Sequence, residues 1–137
     1  MAFRLNLTMK NSIVNDAIEV IAGTTGTAGT AVMKIYTGSQ PATADDATSG
    51  DLLVTLSSIS WDLCTGGTSA LTSTVEGTNS ATGTAGWARL ETIGASGTFR
   101  LDGDVGTGGT CVFVINDAIF TTAGGAVSLL TAPIYVS

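Results

Sequence analysis

No histidine occurs anywhere in the chain. The side chain that most often serves as general acid-base and metal ligand is therefore missing. A Ser-His-Asp or Cys-His site within one chain is excluded with it. Cysteine is nearly as scarce. Cys64 and Cys111 stand far apart, and without histidine their spacing does not suggest zinc. They allow one bridge at most. The start, "MAFRLNLTMKNSIVND", has no basic segment followed by an apolar run. The expectation is synthesis in a reducing cytosol, with both cysteines as buried free thiols.

Charge is sparse as well. Charged residues make up 12% of the chain, about half the usual share, so hydroxyls and amides must supply most of the polar surface. The net charge is −6, from 11 acids and 5 bases. The bases are Arg4, Lys10, Lys34, Arg89 and Arg100, scattered along the sequence with no cluster. A nucleic-acid surface needs several cations on one face, and an anionic lipid surface attracts positive charge. Neither nucleic acid nor membrane is expected as a partner. No stretch approaches the roughly 20 apolar residues of a membrane span.

Against these absences stand 137 residues, 44% of them hydrophobic. That is the size of one domain with one core, and too apolar for disorder. The 18 glycines suit turns and close backbone approaches and disfavour long helices.

One helix is expected, over residues 9–22. Ile13, Val14, Ala17, Ile18 and Ile21 form a stripe at helical spacing, with Asn11, Asn15, Asp16 and Glu19 opposite. The stripe either packs on its own domain or docks on a partner. In the second case Ile13 and Ile18 are contact candidates. Gly23 can end the helix, and the Gly/Thr run 23–30 reads as a linker.

From residue 31 to 136 the period becomes two. "AVMKIYT" (31–37) and "DLLVTLSS" (51–58) read as strands, and "SWDLC" and "SALTSTVEG" as weaker ones. In "GWARLETIGASGTFRLDGDV" (86–105), Trp87, Arg89, Glu91 and Ile93 share one parity and Ala88 and Leu90 the other, around a "GASG" turn. That is a hairpin signal. "TCVFVIND" reads as a central strand covered on both faces. "AIFTTAGGAVSLLTAPIYV" reads as strand, Gly-Gly turn, strand. The expected fold is mainly β: a single β-sandwich or small barrel of about eight antiparallel strands preceded by one N-terminal helix.

Chemistry remains hard to place. Asp45, Asp46 and Asp51 surround the long polar connection between the first two strands, and Asp102 and Asp104 flank Gly103. Paired acids can hydrolyse glycosides or hold calcium. Neither group shows a calcium-loop pattern, and aspartate is common in turns for its own backbone hydrogen bonds. "GTTGTAGT" lacks the preceding strand and the Lys-Ser/Thr ending of a phosphate loop. Trp61, Trp87, Tyr36 and Tyr135 fit core or strand positions better than a sugar platform. No catalytic, cofactor or metal residue is assigned, and no enzyme activity is expected. The connection itself, with Gly38, Ser39, Gln40, Pro41, Asp45 and Asp46, is a candidate for contact with neighbouring subunits, and its length suggests a crossover between sheet edges.

The segments "KIYTGSQPATADDATSGDLLVTL" and "GTAGWARLETIGASGTFRLDGDVGTGGT" resemble a family of small structural proteins of tailed bacteriophages. That family shows an IY-x-G-x-QP segment, a GTA-x-W strand and a DG-x-VGT turn. The matching positions are Ile35, Tyr36, Gly38, Gln40 and Pro41; Gly83 to Ala85 with Trp87; and Asp102, Gly103, Val105, Gly106 and Thr107. The resemblance covers about residues 10–136, and departs from the pattern at Ile59 to Leu71 and at "TCVFVIND". It implies a virion component, made in the host cytoplasm, with itself (as dimer or trimer) and a major capsid or other virion protein as partners. The leading expectation is a capsid decoration (cement) protein on the assembled head. Alternatives are a neck, tail, baseplate or fibre-attachment accessory, or a host-receptor or carbohydrate-binding module displaying Trp61 or Trp87.

Overall fold

The computed structural model describes residues 4–22, 31–94 and 97–136. The expected Gly23 helix stop, the 23–30 linker and the middle of the "GASG" turn lie outside the described residues. The elements are α1 (Leu7–Ala22), β1 (Val32–Thr37), β2 (Leu52–Ser57), β3 (Thr68–Ser69) and β4 (Val75–Thr78). They continue with β5 (Gly83–Gly94), β6 (Gly97–Gly106), β7 (Phe113–Ile115), β8 (Ile119–Phe120), β9 (Ala126–Thr131) and β10 (Ile134–Tyr135).

The helix begins two residues before the apolar stripe predicts, because Asn6 caps it. The Asn6 side-chain oxygen accepts the Met9 N–H at 2.9 Å, and its carbonyl accepts the first helical bond, from Lys10. Val14, Ile18 and Ile21, spaced i, i+4, i+7, are buried. The helix packs on β3, β5, β6 and β10 of its own chain. The reading in which this stripe packs at home therefore holds for these three residues, while Ile13 stays 41% exposed. The helix asparagines satisfy backbone at a neighbouring loop: Asn15 accepts Cys64 N–H, and Asn11 accepts Gly67 N–H, each at 2.8 Å.

The strands run in the order β2-β1-β5-β6-β7-β9-β4, with β8 added to β5. The sheet curls until β4 returns to β2, where the Val54–Asn79 bridge and the Ser80 N–H to Leu53 carbonyl bond (2.8 Å) nearly close a barrel. Alternation along each strand aims Met33, Ile35, Val54, Leu56, Ala88, Leu90, Phe113, Ile115, Val127 and Leu129 into one core. Trp61 joins them, fully buried, its indole N–H donating to the Ala132 carbonyl at 2.7 Å.

The mainly-β fold with one leading helix is as expected, and the structure refines it in three places. The ladder is not wholly antiparallel: β6 and β7 pair in parallel at Val105–Phe113 and Gly106–Val114. "TCVFVIND" does sit centrally, between β6 and β9, but only three of its residues are strand. The stretch 118–136 is strand, turn, strand as expected, but the two strands do not pair with each other. β8 pairs with β5, whereas β9 pairs with β4 and β7. Buried Asn79 explains the split by holding the intervening turn. Its amide donates to the carbonyls of Ala81 and Thr122 and its oxygen accepts Gly125 N–H. Both cysteines are free, Cys64 buried and Cys111 half-buried.

Candidate functional site

The connection from β1 to β2, residues 38–51, is not a crossover. The two strands are antiparallel neighbours, paired from Val32–Ser57 to Tyr36–Leu52. The connection leaves the sheet edge, folds back over the outer face of β1 and β5, and returns. Its neck is closed by Thr37 N–H to the Asp51 carbonyl (3.0 Å) and Asp51 N–H to the Thr37 hydroxyl (2.9 Å). Glycine is required at both crossings. A Cβ on Gly50, which has φ +78°, would lie 2.1 Å from the Thr37 carbonyl oxygen. One on Gly86 would lie 2.0 Å from that of Gly38.

Within the loop, Ser49 donates its hydroxyl to the Ser39 carbonyl, and Asp46 accepts the Thr43 N–H as turn-forming aspartates do. The loop is also tied to what it covers. Arg89 donates to the Asp46 carbonyl at 2.9 Å, and the Trp87 indole N–H donates to the Ser49 carbonyl at 3.3 Å.

Beneath it lies a polar cleft of about 610 Å³, lined by Lys34, Tyr36, Asp45, Asp46, Ala47, Thr48, Arg89, Glu91 and Arg100. Strand register builds its floor. Lys34 stands opposite Arg89, Glu91 opposite Arg100, and Arg89 opposite Asp102. Three of the chain's five bases thus meet on one face, which corrects the expectation that they form no cluster. They do not make a cationic surface, because each has a carboxylate. Arg89 grips Asp102 in a bidentate pair, both bonds 2.8 Å, with side chains only 3% and 6% exposed. Lys34 donates to Glu91 at 2.5 Å, and Arg100 approaches the other Glu91 oxygen at 3.7 Å. The hydrogen bond that Arg89 donates to Asp102 is the main cause that raises the Arg89 pKa above its ordinary value, against the opposing cost of burial.

Tyr36 lines the cleft and is backed by Trp87. Tyr36 and Trp87 stack with centroids 4.7 Å apart and planes 16° from parallel, and the Arg89 guanidinium sits 5.5 Å from the Trp87 ring centre. Chemically, the buried groups are committed to one another. Among the described residues no group of three His, Cys, Asp or Glu could hold a metal ion.

Of the residues singled out from sequence, Asp45 and Asp46 form part of the cleft rim. Gly38, Ser39 and Gln40 are exposed along the loop and Pro41 is half-buried. Ile13 is accessible on α1, but Ile18 is 0% exposed. Ile18 cannot contact a partner in the folded chain, because it is spent on the chain's own core. Asp102 and Asp104 are not turn residues either. Both lie within β6, Asp102 on Arg89 and Asp104 accepting the Val112 N–H. Both tryptophans are buried, so neither forms the exposed sugar platform on which a carbohydrate-binding module would depend. The cleft residues Lys34, Tyr36, Arg89, Glu91 and Arg100 were not foreseen as a group. The signal was present in the hairpin: pairing Gly94 with Gly97 sets Glu91 against Arg100 and Arg89 against Asp102.

No family model, curated protein or solved structure matches the chain.

Proposed function

We propose that this chain is a structural protein of a bacteriophage virion, and specifically a capsid decoration protein that clips onto the assembled head and associates with itself. The observation that carries the reading is the residue pattern itself: Ile35, Tyr36, Gly38, Gln40 and Pro41, then Trp87 after Gly83 to Ala85, then Asp102 to Thr107. The geometry gives that pattern a physical role. Tyr36 and Trp87 stack under the loop that Gly38 to Pro41 open, so the motif residues maintain a prefolded loop. A loop ordered before binding loses little further entropy on contact. Its outer side presents Ser39, Gln40, Asp45 and Asp46 to solvent, a polar surface suited to a shell already formed. On α1, Met9, Ile13 and Val20 remain exposed beside the buried stripe, an apolar surface of the kind that subunit contacts cover.

Reconstitution tests the reading. Heads lacking the protein should gain resistance to heat and osmotic shock when the purified chain is added back, and lose that gain when the loop is altered at Gln40 and Asp45. Heads that neither bind the chain nor change in stability would remove the decoration role.

A further inference from the structure

We propose that the outer edge of β6 is the surface through which two copies of this chain pair, antiparallel about a two-fold axis at Phe99. The inference rests on the self-association in the reading above and not on the virion role.

β6 pairs with β5 along most of its length, from Gly97 to Asp104. On its other side β7 begins only at Val105. Among the described residues no backbone group pairs with that edge from Gly97 to Asp102. Alternate residues there direct N–H and C=O groups away from β5. Soluble proteins usually blunt such an edge with proline, a bulge or inward-pointing charge. This one has no proline and no break in register. Its charges are turned to the cleft, Arg100 toward Glu91 and Asp102 onto Arg89. Its other face carries apolar side chains in the open: Phe99 is 43% and Leu101 37% exposed. Beside Leu101 runs a groove of about 310 Å³ lined by Val112, Pro133, Ile134 and Tyr135, with Tyr135 58% exposed. A row of backbone groups without a partner among the described residues, beside apolar side chains, calls for a strand.

A second copy supplies one with matching length and register. Centred on Phe99, the pair sets Phe99 against Phe99 of the second copy, Arg100 against its Thr98, and Leu101 against its Gly97. A centre one residue on, at Arg100, would oppose two guanidinium-bearing residues directly, which is unfavourable. A centre at Leu101 would carry Gly97 of the second copy opposite Val105, where β7 already lies. The edge is in any case covered from Gly103 onward, since Phe113 and Val112 stand within 2.7 and 3.1 Å of where a Gly103 Cβ would be. Open length and charge therefore select the same axis.

The test combines mass in solution with cross-linking. The wild-type chain should sediment as a dimer, or as an assembly of dimers. Phe99→Lys should sediment as half that mass with an unchanged circular-dichroism spectrum. Phe99→Cys should form a disulfide-linked dimer on air oxidation, with dissolved oxygen accepting the two electrons and two protons released, because directly opposed Cβ atoms are within bridging reach. Ile119→Cys, more accessible than Phe99 but on β8, should not exceed the wild-type background. If Phe99→Lys fails to fold, the cross-linking pair decides alone. An oligomer that survives Phe99→Lys, with no cross-link at position 99 above that at 119, overturns the β6 surface and leaves self-association standing. A wild-type chain that is monomeric at every concentration overturns both, and leaves the virion role to be judged on particles.

Discussion

On one face of β1 and β5, Met33, Ile35, Ala88 and Leu90 enter a dry core that needs no partner more specific than another hydrocarbon. On the other face of the same strands, Tyr36, Trp87, Arg89 and Glu91 are nearly as enclosed, with Lys34 at the rim, and the charged groups and the indole N–H are matched to named neighbours. The first face is held by area removed from water, at about 25 cal/mol per Å². The second depends on complete pairing, since burying a charge is costly unless it is compensated. An apolar face tolerates exchange of one hydrocarbon for another of similar volume. A paired face does not tolerate the loss of one member. The loop 38–51 exists on the second face because that face has carbonyl requirements to meet: Arg89 and Trp87 still have donors to satisfy after Asp102 and Tyr36 are in place, and Asp46 and Ser49 accept them.

Substitutions sharpen that contrast. The largest effect is expected for Asp102→Ala, which leaves the buried Arg89 guanidinium without its carboxylate and should cost about 3–5 kcal/mol in urea unfolding. The joint change Arg89→Met with Asp102→Leu should recover most of that loss, because a well-packed apolar pair often equals or exceeds a buried ion pair. On the core face, Leu90→Ala should cost about 2–5 kcal/mol, and no second substitution on the polar face should restore it. Comparable losses for Asp102→Ala and its double variant would show that packing, not pairing, holds the outer face.

Next comes Gly86→Ala. Its Cβ would meet the Gly38 carbonyl, so the loop must lift, at about 1–3 kcal/mol. A red-shifted Trp87 emission should accompany the loss as the Ser49 bond breaks. The smallest effect is expected for Lys34→Met, about 0–1 kcal/mol, since Lys34 is a third exposed and water screens its pair with Glu91. The sign of the pH response follows from Arg89. Its folded pKa is raised, so its contribution is present in full below the unfolded arginine range and is lost only as pH climbs through the higher folded value. Unfolding free energy attributable to the Arg89–Asp102 pair, from a double-mutant cycle, should not fall between neutral and mildly alkaline pH.

The core face was legible in the sequence because burial leaves a period. Val14, Ile18 and Ile21 repeat at helical spacing, and Leu90 and Ala88 alternate with Arg89 and Glu91. The cleft was only half legible. Its parity could be read, but the meeting of Lys34 with Arg89 depends on β1 pairing with β5 across about fifty intervening residues. No local signal specifies that. The loop was misread for a related reason. A long polar connection looks the same whether it travels to a distant edge or folds back. The clue was in its glycines, Gly50 and the far-off Gly86, whose missing side chains make room for carbonyls. Asn6 as the helix cap was a signal available and missed; Ile18 carried a true apolar signal that does not reveal whose core it serves.

The decoration role is tested most directly by counting this chain in purified particles by quantitative mass spectrometry. The account predicts copies on the scale of the shell's own subunits, retained after stringent washing. Copies limited to the few that a neck or tail holds, or none at all, would contradict it.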